Sequence, residues 1–98
     1  MNITKAQSGT VMTIALEGRL DTMTAPELEK EISALPEDVS GLTMDFSKLE
    51  YISSAGLRVL LAAHKRFAAK DGMQVTHVNE IVQEVFEVTG FSDILTVC

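Results

Sequence analysis

Residues 44–61 read MDFSKLEYISSAGLRVLL, and the rest of the chain is interpreted outward from them. The first three end an apolar strand, residues 47–52 are expected to form a connecting loop, and a long amphipathic helix is expected to begin at Ser53. A helix start leaves backbone N–H groups unpaired and carries the positive end of the helix dipole. The hydroxyls of Ser53 and Ser54 therefore stand where a phosphate group would be well received.

Apolar positions on both sides of this stretch alternate in strands or recur at helical spacing. The predicted strands cover residues 2–6, 10–16, 41–46, 73–78 and 94–97, and the predicted helices cover about 24–35, 54–70 and 80–89. The order ββαβαβαβ favours an α/β fold with a mostly parallel sheet of four to five strands packed with helices. The initial hairpin makes the sheet mixed.

The helix ends carry their own signals. Thr24 is expected to cap the first helix, with Pro26 in its first turn and Glu27 completing a capping box. Asn79 is expected to cap the third helix and Gly90 to end it. The apolar stripe of the second helix is expected to comprise Leu57, Leu60, Leu61, His64 and Ala68.

The composition limits the class of protein. The chain has 98 residues of which 46% are hydrophobic, which suggests one globular domain over residues 1–98. A net charge of −6 argues against nucleic acid or anionic lipid as a partner. Cys98 is the only cysteine, so no internal disulfide can form and a reducing compartment, the cytoplasm, is expected. Neither a membrane-spanning run nor a signal-peptide pattern is found.

The sequence lacks the motifs of common enzymes. There is no Walker A loop, no dinucleotide fingerprint and no zinc-ligand spacing, so no catalytic residue, metal or cofactor is predicted. A triad of Ser54, His64 and Asp45 fails on geometry, because ten helical residues separate the serine from the histidine by about 15 Å.

Two acidic residues are candidates for a site near Ser54. Asp21 follows one strand and Asp45 ends another, and loops that follow parallel strands gather at one edge of a sheet. The two carboxylates could bind a metal or repel a phosphate there. The residues alone favour a simpler role, in which each carboxylate accepts hydrogen bonds from nearby backbone N–H groups. Capping is likewise the ordinary role of serines at a helix start, and both roles hold if Ser53 caps and Ser54 stays exposed.

The chain resembles the STAS domain of bacterial anti-sigma factor antagonists. The resemblance covers nearly the whole chain and is carried by Asp45-Phe46-Ser47, Leu49, the run from Ile52 to Leu57, Leu60, the run from Glu17 to Asp21 with Thr24-Ala25, and the run from Val85 to Phe91. Many members have an aspartate where this chain has Ser53, and serine or threonine where it has Ala55.

The resemblance implies a regulatory protein that is not an enzyme. Ser54 matches the serine that a partner phosphorylates, and the partner would be an anti-sigma factor that is also a GHKL-type serine kinase. A PP2C-type phosphatase would reverse the modification. The unphosphorylated protein, a monomer or weak dimer when free, would bind the anti-sigma factor and release a sigma factor. The expected contact residues are Asp21, Thr22, Asp45, Ser53, Ser54, Gly56, Leu57 and Arg58.

One alternative stays open. STAS domains of similar fold serve as interaction subunits of transport or sensory complexes. In such a complex the serine would contact another subunit and need not be phosphorylated.

Overall fold

The computed structural model describes residues 1–98 and confirms the predicted order of elements. The strands and helices are β1 (Asn2–Ser8), β2 (Val11–Leu20), α1 (Ala25–Ser33), β3 (Gly41–Ile52), α2 (Ser54–Ala68), β4 (Gly72–Thr76), α3 (Glu80–Thr89), a 3₁₀ turn (Phe91–Asp93) and β5 (Thr96–Val97). No helix has the length and apolar character that a bilayer crossing requires.

The five strands lie in one sheet in the order β1-β2-β3-β4-β5. β1 pairs antiparallel with β2, and the remaining neighbours are parallel, which confirms the mixed sheet. Helices α1, α2 and α3 connect β2 to β3, β3 to β4 and β4 to β5, and the sheet is therefore crossed always in the same direction. Because such crossover connections are right-handed, all three helices lie on one face of the sheet. In the first half of β2 and of β3 and in β4, buried residues alternate accordingly, and the opposite face carries half-buried or exposed polar side chains such as Thr13, Thr43 and Gln74.

The core lies between that helix-covered face and the helices. Twenty-four buried apolar residues form a single cluster, and Phe46 of β3, Phe67 of α2 and Phe86 of α3 are among its fully buried members. Burying a side chain of this size stabilises the fold by about 1.5–3 kcal/mol. These three side chains therefore help to hold α2 and α3 against β3, the central strand.

β2 and β3 continue further than the sequence predicted. Residues 47–52 are strand and not the expected loop, and β2 runs on to Leu20. The two strands stay paired as far as Leu20 and Ile52, with two register shifts on the way. These bulges explain the error, because the buried residues Phe46, Leu49 and Ile52 lie three apart and hide the two-residue period of a strand.

The buried face of α2 also differs from the predicted stripe. Leu57 and Leu60 are buried as expected, but Leu61 and His64 are half-buried and Ala68 is exposed. The buried residues are Gly56, Leu57, Val59, Leu60, Ala63 and Phe67. The run LRVLLAA from Leu57 is apolar at six of its seven positions and so does not define one face.

The predictions for the ends of α1 and α3 differ in their outcome. The Asn79 side chain accepts a hydrogen bond from the Val82 N–H at 2.8 Å, and Gly90 ends α3 with a left-handed φ of 81°, so both predictions are confirmed. The capping box of α1 is wrong, because Thr24 has a helical backbone conformation and its side chain does not cap the helix.

Candidate functional site

The N-terminus of α2 separates the two hydroxyls as predicted. Ser53 has an extended backbone and its Oγ accepts a hydrogen bond from the Gly56 N–H at 3.4 Å, which confirms it as the cap. Ser54 is the first helical residue and is exposed. The Ser53 N–H donates to the Leu20 carbonyl at 2.8 Å, so the helix start is joined to the end of β2. The Ser54 hydroxyl is therefore open to a partner on a firmly held turn.

Gly56 allows α2 to approach the ends of β2 and β3 closely. A Cβ atom at this position would lie 2.7 Å from Cγ of Leu20 and 2.9 Å from Cγ1 of Ile52. Real side chains do not tolerate such distances without displacement, so only glycine fits without a shift of its neighbours. Together with Leu57, which is 5% exposed, Gly56 supports the helix start from beneath and does not face solvent.

Asp21 organises the turn beside Ser53. It follows Leu20, and its carboxylate accepts hydrogen bonds from the N–H groups of Met23 at 3.0 Å and Thr24 at 3.1 Å. Partial burial alone would raise the pKa of Asp21, but these backbone N–H groups, the Thr24 hydroxyl and the Arg19 charge outweigh it and hold the pKa below its usual value. The carboxylate is therefore ionised at neutral pH and fixes the turn.

The Thr24 hydroxyl completes this turn instead of capping α1. It donates to the Arg19 carbonyl at 2.8 Å and accepts from the Asp21 N–H at 2.8 Å. Thr24 and Asp21 thus exchange hydrogen bonds, which is the local backbone role that the sequence favoured for the aspartate. The expectation that the Thr24 side chain caps α1 is therefore wrong, because its hydroxyl is already bonded within the Asp21 turn.

Sequence reasoning missed one exposed residue in this turn. The Met23 side chain is 83% exposed beside the exposed Thr22, although methionine is normally found inside proteins. Its flexible thioether side chain suits a surface that must fit a partner. The sequence signal that could have indicated this exposed residue is a large apolar side chain between polar neighbours, Thr22 and Thr24.

Arg58 provides a positive charge next to Ser54. It lies four residues further along α2, so both side chains are on the same face, and arginine side chains on a helix lean toward its N-terminus. Arg58 is exposed and takes part in none of the ion pairs of the structure. Asp21, Thr22, Met23, Ser54 and Arg58 are called the Ser54 surface below.

Asp45 lies apart from this surface. It pairs with Ala15 of β2, and the five residues from there to Leu20 span about 16 Å of strand. The expectation that Asp21, Asp45 and Ser54 gather at one edge is wrong, because β3 continues past Asp45 as strand where a loop was expected.

The surroundings of Asp45 give it a different role. Its carboxylate accepts a hydrogen bond from the Ser47 N–H at 2.9 Å and lies 3.4 Å from Nδ1 of His77. The Ser47 N–H contributes most to holding the pKa of Asp45 below its usual value, and the neighbouring His77 imidazole adds to the effect. Asp45 thus shapes the backbone of β3 and contacts His77, the residue that follows β4.

Comparison with known proteins places the chain in a family. Residues 3–96 match the family model described as "Mlab, STAS domain". A Bordetella bronchiseptica relative named as the anti-sigma factor antagonist BtrV is 32% identical over 99% of this chain and 85% of its own length. The crystal structure of an anti-sigma factor antagonist from Mycobacterium paratuberculosis has a TM-score of 0.87 at 25% identity, covering 98% of this chain and 83% of that one.

The same fold occurs in a protein solved with a phosphate attached. The Bacillus cell fate determinant SpoIIAA in its phosphorylated form has a TM-score of 0.76 at 18% identity, covering 99% of this chain and 91% of that one. The family model spans almost every residue from β1 to β5, and the relatives share both sequence and fold. The chain therefore belongs to the STAS domain family, in which its relatives are named anti-sigma factor antagonists.

Proposed function

We propose that this chain is an anti-sigma factor antagonist that binds an anti-sigma factor through the Ser54 surface and is switched off by phosphorylation of Ser54. The observation that carries the proposal is the exposed Ser54 hydroxyl at the start of α2, one residue beyond a cap that is bonded to β2. Relatives named as antagonists of anti-sigma factors support the choice of partner.

The chemistry at Ser54 belongs to the partner. A GHKL-type serine kinase, the anti-sigma factor itself, transfers the γ-phosphoryl group of ATP to Oγ of Ser54, releases ADP and removes the hydroxyl proton. A PP2C-type phosphatase hydrolyses the ester and restores the hydroxyl. This chain supplies the nucleophile and the docking surface and needs no catalytic residue or cofactor.

The phosphate affects the free protein and the complex differently. It adds about −1.5 to −2 charges. In the free protein this charge meets the positive end of the α2 dipole and the Arg58 guanidinium, which lies within reach on the same helical face. In a complex the charge would be buried against the partner, at a cost of several kcal/mol. A loss of about 3–4 kcal/mol weakens binding by some hundreds-fold, which is sufficient for a switch.

A second function is favoured by the description of the family model, which names Mlab. In that case the Ser54 surface contacts another subunit of a transport or sensory complex, and the hydroxyl forms part of a permanent interface without being phosphorylated.

Phosphorylation can be tested by intact-mass measurement. The purified chain is incubated with ATP, Mg²⁺ and a GHKL-type kinase encoded near its gene. One phosphate is expected on the wild type and on Ser53→Ala, and none on Ser54→Ala. No added phosphate with any such kinase would favour the interaction subunit, and a phosphate lost in Ser53→Ala but kept in Ser54→Ala would move the acceptor to Ser53.

Binding to the same kinase tests the switch. Ser54→Ala is expected to bind like the wild type, and Ser54→Asp is expected to bind at least tenfold more weakly because it carries a permanent charge. Lys48→Ala, an exposed change on β3 outside the Ser54 surface, serves as the control. Equal affinities of Ser54→Ala and Ser54→Asp would contradict the proposed mechanism.

A further inference from the structure

Helix α3 has a second apolar flank, most of which is exposed. Val82 and Phe86 of this helix are buried in the core. Ile81 and Val88 are 59% and 80% exposed, and Val85 between them is half-buried. These three positions are spaced i, i+4 and i+7 and so form one continuous stripe, called the α3 face below.

The α3 face is not explained by stability. Val85 packs partly against the core. Valine and isoleucine are weaker helix formers than alanine, leucine or lysine, and the exposed side chains of Ile81 and Val88 gain little from burial. Single exposed apolar residues are common on proteins, but a contiguous stripe bordered by polar residues is typical of an interaction site.

The negative charge of α3 indicates what kind of partner would cover the α3 face. The helix carries three glutamates and no lysine or arginine: Glu84 borders the stripe, and Glu80 and Glu87 lie further round the helix. None of these glutamates takes part in an ion pair within the chain. Two copies of the α3 face would bring their glutamates together, and an anionic lipid surface would be repelled in the same way. A partner with an apolar stripe and a rim of lysine or arginine satisfies both the apolar residues and the acidic border.

We propose that the α3 face docks an amphipathic helix with a basic rim from a partner protein. The surface shares no residue with the Ser54 surface, so it adds a second contact to the proposed function and does not depend on it. It is also held firmly, because the Asn79 side chain that caps α3 donates a hydrogen bond to the Leu49 carbonyl of β3 at 2.8 Å. A rigid helix presents the stripe without a cost for ordering it on binding.

Two synthetic helical peptides test this proposal. Both carry the same leucine stripe, and one has a rim of lysines while the other has a rim of glutamates. Each is titrated into the ¹⁵N-labelled chain at physiological ionic strength, and amide shifts are followed by NMR. Saturable binding is expected for the lysine peptide alone, with the shifts centred on the amides of residues 80–89.

Variants connect the binding to the α3 face. The double change Ile81→Ser with Val88→Ser is expected to lower affinity at least tenfold and to leave the spectrum folded, because both side chains are exposed. Val11→Ser, at an exposed apolar position on β2, is the matched control and is expected to bind normally. Glu84→Lys is expected to weaken the lysine peptide and strengthen the glutamate peptide.

Three results would overturn the proposal. Shifts spread over all acidic surfaces would show nonspecific attraction, and unchanged affinity in the double variant would place the site elsewhere. A concentration-dependent dimer that the double variant abolishes, seen by analytical ultracentrifugation, would show that the α3 face is covered by a second copy.

Discussion

At Gly56 the absence of one methyl group sets the distance between α2 and the ends of β2 and β3. We expect Gly56→Ala to destabilise the protein by about 1–2 kcal/mol, because overpacking against Leu20 and Ile52 costs more than the roughly 1 kcal/mol that alanine gains in a helix. Chemical denaturation measures the difference. Ser54→Ala, an exposed change in the same turn, should stay within about 0.5 kcal/mol of the wild type. A stabilised Gly56→Ala would contradict the close approach.

The two serines show what a sequence can and cannot say about one residue. Their position alone favoured capping and left room for Ser53 to cap while Ser54 stayed exposed, and the structure shows that arrangement. The role of Ser54 as phosphoacceptor came from the resemblance alone and stays a prediction. Met23 was missed because burial preferences place methionine inside, whereas hydrogen bonds of Asp21 and Thr24 fold its turn so that the side chain points outward.

At the scale of elements, the caps of α2 and α3 differ in strength. The Asn79 side chain both caps α3 and donates to the Leu49 carbonyl, each at 2.8 Å, whereas the cap of Ser53 is a longer bond of 3.4 Å. Asn79→Ala should therefore cost about 2 kcal/mol, and Ser53→Ala no more than about 1 kcal/mol, in denaturation experiments. Asn79→Asp keeps the cap and loses the donated bond, so its cost should be intermediate. An Asn79→Asp variant as stable as the wild type would mean that the Leu49 contact contributes nothing.

The elements that were predicted correctly are those with a clear period or a clear terminator. α3 has both, in its buried Val82 and Phe86 and in Gly90, whose left-handed conformation suits glycine. The second half of β3 has neither, since its two register shifts replace alternation with a spacing of three. Bulges arise from pairing with β2, which is a tertiary contact that no local pattern reveals.

At the scale of the whole molecule, two carboxylates make the free energy of unfolding depend on pH in the acidic range. The pKa values of Asp21 and Asp45 lie below their ordinary value of 3.8 in the folded protein. As the pH falls, these two carboxyls take up protons in the unfolded chain before they do so in the folded protein. Their contribution to the free energy of unfolding is therefore complete above about pH 5 and is lost as the pH falls through the folded pKa values. The free energy of unfolding should be lower at pH 3 than at pH 6. Asp45→Asn should reduce that difference, and an unchanged pH profile would contradict the role of its hydrogen bond from Ser47.

A charge at Ser54 should leave the free molecule folded. Ser54→Asp places a negative charge at the positive end of α2 and within reach of Arg58, which together contribute about 0.3–1 kcal/mol. We expect it to unfold at the same or slightly higher denaturant concentration than the wild type. The matched variant Ser54→Asp with Arg58→Ala should lose part of this gain. Amide shifts spread across the sheet would instead indicate that a charge at Ser54 acts by refolding the domain.

The contact between Ser53 and Leu20 also bears on which form of the chain a modifying enzyme can recognise. The turn that presents Ser54 is assembled from two segments that are far apart in sequence, through a hydrogen bond from the Ser53 N–H to the Leu20 carbonyl and the tight contact of Gly56 with Leu20 and Ile52. An unfolded or freshly synthesised chain contains the same serine but lacks this shape. If Ser54 is the acceptor, as proposed, a kinase that recognises the assembled turn will phosphorylate folded molecules and leave unfolded chains unmodified.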